Sequence, residues 1–187
     1  MNSRCMMGSA VKGALISFEA DPNPLVIVFQ FNPDTLTRSV AAPLSSPAGS
    51  VPDRETINFT LSLDAIDLDA PIDPATQIFG VLPTLTALAE LTKQSSSQAP
   101  PYVLFVWGPH RILVVRLLSL LIRETEFNVQ LAPVRADVDV VLNVLETLAE
   151  GAPPAVRNAH QETQAARERF LAKLPREFPD YISRILK

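Results

Sequence analysis

The densest group of oxygen donors in the chain is Asp64, Asp67, Asp69 and Asp73, and carboxylates this close in sequence suit a calcium ion. A calcium loop of the EF-hand kind also needs a fixed ligand spacing, a central glycine and a terminal glutamate. None of these is present, so strand-end and helix-cap duty is the simpler role. His110 and Arg111, in the sequence GPHR and close to Trp107, are residue types that line ligand pockets, yet GPHR between two apolar runs reads more simply as a hairpin turn. Cys5 is the single cysteine, which excludes an intrachain disulfide and a cysteine-based metal site. Serine, histidine and aspartate occur without a G-x-S-x-G elbow, and the 6 glycines form no phosphate-binding loop. These residues predict no catalytic centre, no cofactor and no metal, and a non-enzyme is expected.

The remaining oddity is Arg116, a cation in the middle of the most apolar run of the chain. Its plain reading is a side chain that snorkels to an edge or pairs with a carboxylate, and the sharper one is an intersubunit salt bridge in a ring. What must position it is the stretch 102–146, which reads YVLFVWG, PHR, ILVVRLLSLLIRETEF, NVQLAP and VRADVDVVLNVLE, an antiparallel meander. In the last run Val134, Ala136, Val138, Val140, Leu142 and Val144 share one face, with Arg135, Asp137, Asp139 and Asn143 opposite. Residues 112–122 are apolar on both faces except at Arg116 and Ser119. A helix of this chain or another subunit must cover the second face.

Upstream, KGALISFE and LVIVFQF around the turn DPNP predict a hairpin. ETINFTLSLDA (55–65) alternates, with Ile57, Phe59, Leu61 and Leu63 on one side. Asp73-Pro74 opens a helical stripe of Ile78, Leu82, Leu85, Leu88 and Leu91, in which Pro83 predicts a kink or split. The Pro- and Ser-rich loop 41–53 is a candidate inserted arm. After GAPP (151–154), Val156, Ala159, Thr163, Ala166 and Phe170 form a narrow helical seam that Pro175 ends, and a short amphipathic piece follows. Two units are therefore expected: a β domain over 1–150 and a basic helical extension over 151–187.

Charge supports that division. Residues 1–150 hold 9 Lys and Arg against 16 Asp and Glu, while 151–187 hold 7 against 4, within a net charge of -4. An acidic body gives no reason to expect a nucleic-acid surface. The apolar share of 47% against 19% charged leans toward an oligomer. The start carries no convincing signal peptide, and the 112–122 run is far short of the about 20 residues of a spanning helix, so cytoplasmic synthesis without membrane insertion is expected.

At FQFNPDTLTRS (29–39), ETINFTLSLDA (55–65), FGVLPTLTALAEL (79–91), YVLFVWG (102–108) and VVRLLSLLIRETEFNVQLAPVRADVDVVLNVL (114–145), the chain resembles the tube-protein-like family of contractile injection systems, relatives of contractile phage tails, and within it the baseplate hub adaptor or tube initiator. The resemblance implies an α+β, mainly antiparallel fold: a tail-tube-like barrel or sandwich with one flanking helix, here followed by a helical tail. It also implies a sixfold ring that joins the central spike protein to the inner tube protein among other baseplate proteins, in a phage tail-like particle assembled in the cytoplasm and open to extracellular release. Ile112, Val114, Arg116, Leu118 and Leu120 are then the expected intersubunit surface. Arg157, Arg167, Arg169, Phe170 and Lys173 of the basic tail are the expected docking residues for a partner. Larger members continue into a peptidoglycan-binding LysM module that nothing in 151–187 resembles, so cell-wall binding is not expected. The alternatives are the repeating inner tube subunit and, from another class, a stand-alone ligand-binding β-barrel with an apolar interior.

Overall fold

The computed structural model describes residues 11–18, 24–41, 55–66, 79–93 and 100–173. Seven strands, β1 (Ala14–Ser17), β2 (Leu25–Val28), β3 (Thr37–Val40), β4 (Glu55–Asp64), β5 (Val103–Val106), β6 (Ile112–Phe127) and β7 (Pro133–Val144), form one sheet. Its order is β2-β1-β5-β6-β7-β4-β3, and every pairing is antiparallel. Two described helices, α1 (Leu82–Glu90) and α2 (Pro154–Leu171), complete an α+β architecture. The ladder of this sheet does not close into a barrel.

The alternating sequences do what their period dictates. Ile57, Phe59, Leu61 and Leu63 of β4 are buried, as are Ala136, Val138, Val140, Leu142 and Val144 of β7, and the two sets face one core in register. Their opposite faces are wet and cross-linked, with Thr60 Oγ1 donating to Asp139 at 2.7 Å and Ser62 Oγ to Asp137 at 2.8 Å. β1 and β2 form the expected hairpin. β3 carries no apolar alternation: all four of its residues are exposed, and the ladder to β4 is what holds it.

The sheet curls strongly. β2 and β4 are separated by five inter-strand steps, roughly 24 Å in a flat sheet, yet the ring of Phe29, just past β2, lies 5.6 Å from that of Phe59 on β4. Phe105 and Trp107 extend this aromatic cluster, with Phe59–Phe105 at 5.6 Å and Phe105–Trp107 at 6.0 Å. At the seam the side-chain amide of Gln30 donates to the carbonyl of Asp64 and accepts from its N–H at 2.8 Å, a two-point pairing that imitates one rung of a ladder. α1 adds Leu85 and Leu88 to this core. Its helix begins beyond Gly80, which has φ +56°; a Cβ there would meet the Pro133 carbonyl oxygen at 2.0 Å. Pro83 then sits in the first turn, where no amide is needed, while Ile78 at the start of the expected stripe lies outside the described residues. Asp67, Asp69, Asp73-Pro74, the 42–53 part of the arm and the chain after Lys173 lie outside the described residues.

The second face of β6 is divided. A register shift between Leu117 and Ser119 separates two halves of the strand. In the first half Val114 packs with Tyr102, Ala152 and Val156, so α2 of the same chain supplies the cover. In the second half Leu118 and Leu121 stay exposed. The GAPP break separates α2 from the sheet in sequence only: Val156 is 0% exposed beneath it.

Candidate functional site

Two surfaces concentrate the residues of interest: the open half of β6 with its turn, and a cleft at the mouth of the curl. β5 pairs with β6 only over residues 112–115, so among the described residues no strand covers that edge of β6 beyond Val115. The β6–β7 hairpin runs on from there to a turn organised by Asn128, whose Oδ1 accepts from Gln130 N at 3.0 Å and Ala132 N at 2.9 Å. Leu131 holds φ 63° in that turn, an uncommon conformation for a bulky residue. Val129 and Leu131 are 93% and 80% exposed, and Phe127 is half out as well.

The expected interface residues separate along this strand. Leu118 lies on the open surface, and Ile112, at the strand start, is partly exposed while its carbonyl accepts from Thr163 Oγ1 at 2.6 Å. Val114 is covered by α2. Leu120 is opposite Val140 and packs toward the core, because the register shift moved it to the inner face. Arg116 is half-buried with its guanidinium 4.8 Å from the Tyr102 ring centre, and its Nε is buried without a hydrogen-bond partner. Among the described residues it has no ion pair. A cation–π contact is its identified partner. The charges of the outer face lie farther up the sheet, where Arg123 meets Asp139 at 2.9 Å and Arg135 meets Asp64 at 2.8 Å and Glu126 at 2.6 Å. The Thr60 hydroxyl, and after it Arg123, hold the Asp139 carboxyl below its ordinary value.

The cleft, of about 540 Å³, opens where β3 and β4 meet the β5–β6 turn and the C-terminal half of α2. Leu36, Ile57 and Leu113 form its apolar floor, and Trp107 one wall. On its rim Glu55, only 3% exposed, is held from two sides: Arg38 donates from Nε at 2.6 Å and Nη2 at 2.9 Å, and Arg167 of α2 from Nη2 at 3.1 Å. The Glu55 hydrogen bond raises the pKa of Arg38 further. His110 stands edge-on to Phe170 at 6.3 Å. GPHR is thus both a turn and a part of a cleft lining.

Of the expected docking residues, Arg167 and Phe170 meet at this cleft. Lys173 lies 5.9 Å from the Phe170 ring, Arg169 reaches Glu162 at 3.8 Å on the exposed side of α2, and Arg157 donates to the Ala152 carbonyl. Glu55 was missed, although it has the same parity as Ile57 and Phe59 and so belongs to the buried face of β4. Among the described residues no group of three His, Cys, Asp or Glu side chains is placed to hold a metal ion. No protein-family model and no curated protein matches this chain.

Proposed function

We propose that the chain is a non-catalytic structural subunit that assembles with copies of itself into a ring. The observation that supports this reading is the β6 edge beyond Val115, unpaired among the described residues and flanked by exposed Leu118, Leu121 and Phe127. Backbone donors and acceptors on a long apolar edge are a template for another strand, and a ring removes such edges without leaving an end free to aggregate. The Val129–Leu131 tip adds apolar surface at the far end of the same hairpin. The sequence resemblance supports reading that ring as a baseplate component of a contractile injection system, between spike and inner tube. In this reading the curled sheet, pinned across the Gln30–Asp64 seam, is the tube-like barrel. Sedimentation velocity at micromolar concentration with negative-stain imaging tests the proposal. Closed rings are expected for the wild type, and Leu121→Asp is expected to leave folded monomers. A wild-type chain that sediments as a monomer overturns it.

A further inference from the structure

The cleft at the mouth of the curl has a composition that ring formation does not use. Its floor is apolar and continuous with the core, while its rim carries Arg38, Arg111 and Arg167 against the single carboxylate of Glu55. Three cations against one anion leave a surplus of two positive charges in a chain whose net charge is -4. Arg38 directs two of its five donors to Glu55 and Arg167 one, so both retain N–H groups for another acceptor. Arg111 is exposed, and its side chain makes no ion pair among the described residues.

We propose that this cleft binds a small amphiphilic carboxylate, its apolar body against Ile57, Leu113 and Trp107 and its carboxylate at Arg111 and the free donors of Arg167. Charge complementarity selects the anion: a cationic head would meet the arginine surplus, and a neutral one would lack the charge-assisted hydrogen bonds. The volume lies within the range of small-ligand pockets, and the combination of apolar walls with a few convergent polar groups is what such pockets share.

Trp107 is the only tryptophan of the chain and lines the cleft, so its fluorescence reports occupancy directly. Decanoate titrated into the full-length protein is expected to shift Trp107 emission saturably, at one molecule per chain. Decyltrimethylammonium and 1-decanol at matched concentrations are expected to leave it unchanged. Arg111→Gln, whose native side chain makes no structural bond among the described residues, should weaken decanoate about tenfold, the size of one charge-assisted hydrogen bond. Ala166→Phe should block binding by filling the cleft from α2, with circular dichroism confirming the fold of both variants. A wild-type protein that gives no saturable shift overturns the proposal. So does an equal response to the cationic chain, or undiminished decanoate affinity in the two folded variants.

Discussion

Arg167, near the end of α2, donates to the carboxylate of Glu55, the first residue of β4, at 3.1 Å across 112 residues of sequence. The contact fastens the C-terminal helix to the sheet at the end opposite Val156. Arg167→Leu removes one charge-assisted bond from a carboxylate that is already out of water, so a loss of about 1.5–3 kcal/mol is expected in urea unfolding. Adding Glu55→Gln to that variant should cost further stability, because Glu55 still accepts two charge-assisted bonds from Arg38.

α2 is expected to be part of the folding unit. Val156→Ala should cost about 1–3 kcal/mol, from lost burial and the cavity left behind. Val156→Asp should free the helix outright, read as rapid proteolytic cleavage within 151–173. A chain truncated after Glu150 would uncover Val114 and Tyr102 and should unfold at lower temperature than the full chain. The charge division of the sequence implies the opposite, a body indifferent to its tail.

Arg116→Met should leave the unfolding midpoint equal to or above that of the wild type. The substitution loses a cation–π contact worth about 0.5–2 kcal/mol. It also removes a buried Nε without a partner, which costs about 1–3 kcal/mol. A clear drop would show that Arg116 has a carboxylate partner.

Acid should weaken the wet face through Asp139. Its folded pKa is depressed, chiefly by the Thr60 hydroxyl, so its contribution is complete above the unfolded value near 3.8 and is lost as pH falls through the lower folded value. The stability difference between wild type and Asp139→Asn should therefore be largest near neutrality and shrink in that acidic window. Thr60→Val should narrow it. Denaturant midpoints measured across the acidic range provide the check.

The strands with one wet face were legible because alternation carries phase: once Ile57 and Phe59 are placed inward, Leu61 and Leu63 follow. The same phase places Glu55 inward, and only its charge argued otherwise. Its partner Arg167 was not legible, since nothing local ties a helix near the C-terminus to the start of β4. The register shift at Leu117 and Ser119 was hidden because apolar residues on both parities of β6 leave a slip by one residue invisible. β3 was hidden because four exposed residues carry no burial signal, and pairing with β4 alone defines it.

The sheet order also constrains the sequence of events during synthesis. Thr60 of β4 and its partner Asp139 of β7 are 79 residues apart, a gap that translation at 5–20 residues per second crosses in about 4–16 s. Throughout that interval the Ile57 to Leu63 face has no β7 to rest on, whereas a hairpin such as β6–β7 forms within about 1–10 μs once both strands are out. The nascent chain is thus predicted to form its local β1–β2 hairpin early but the β4–β7 ladder only after β7 has emerged, so Ile122 and Val138 of the β6–β7 hairpin should be protected in pulse labelling no later than the β4 residues that pair with β7.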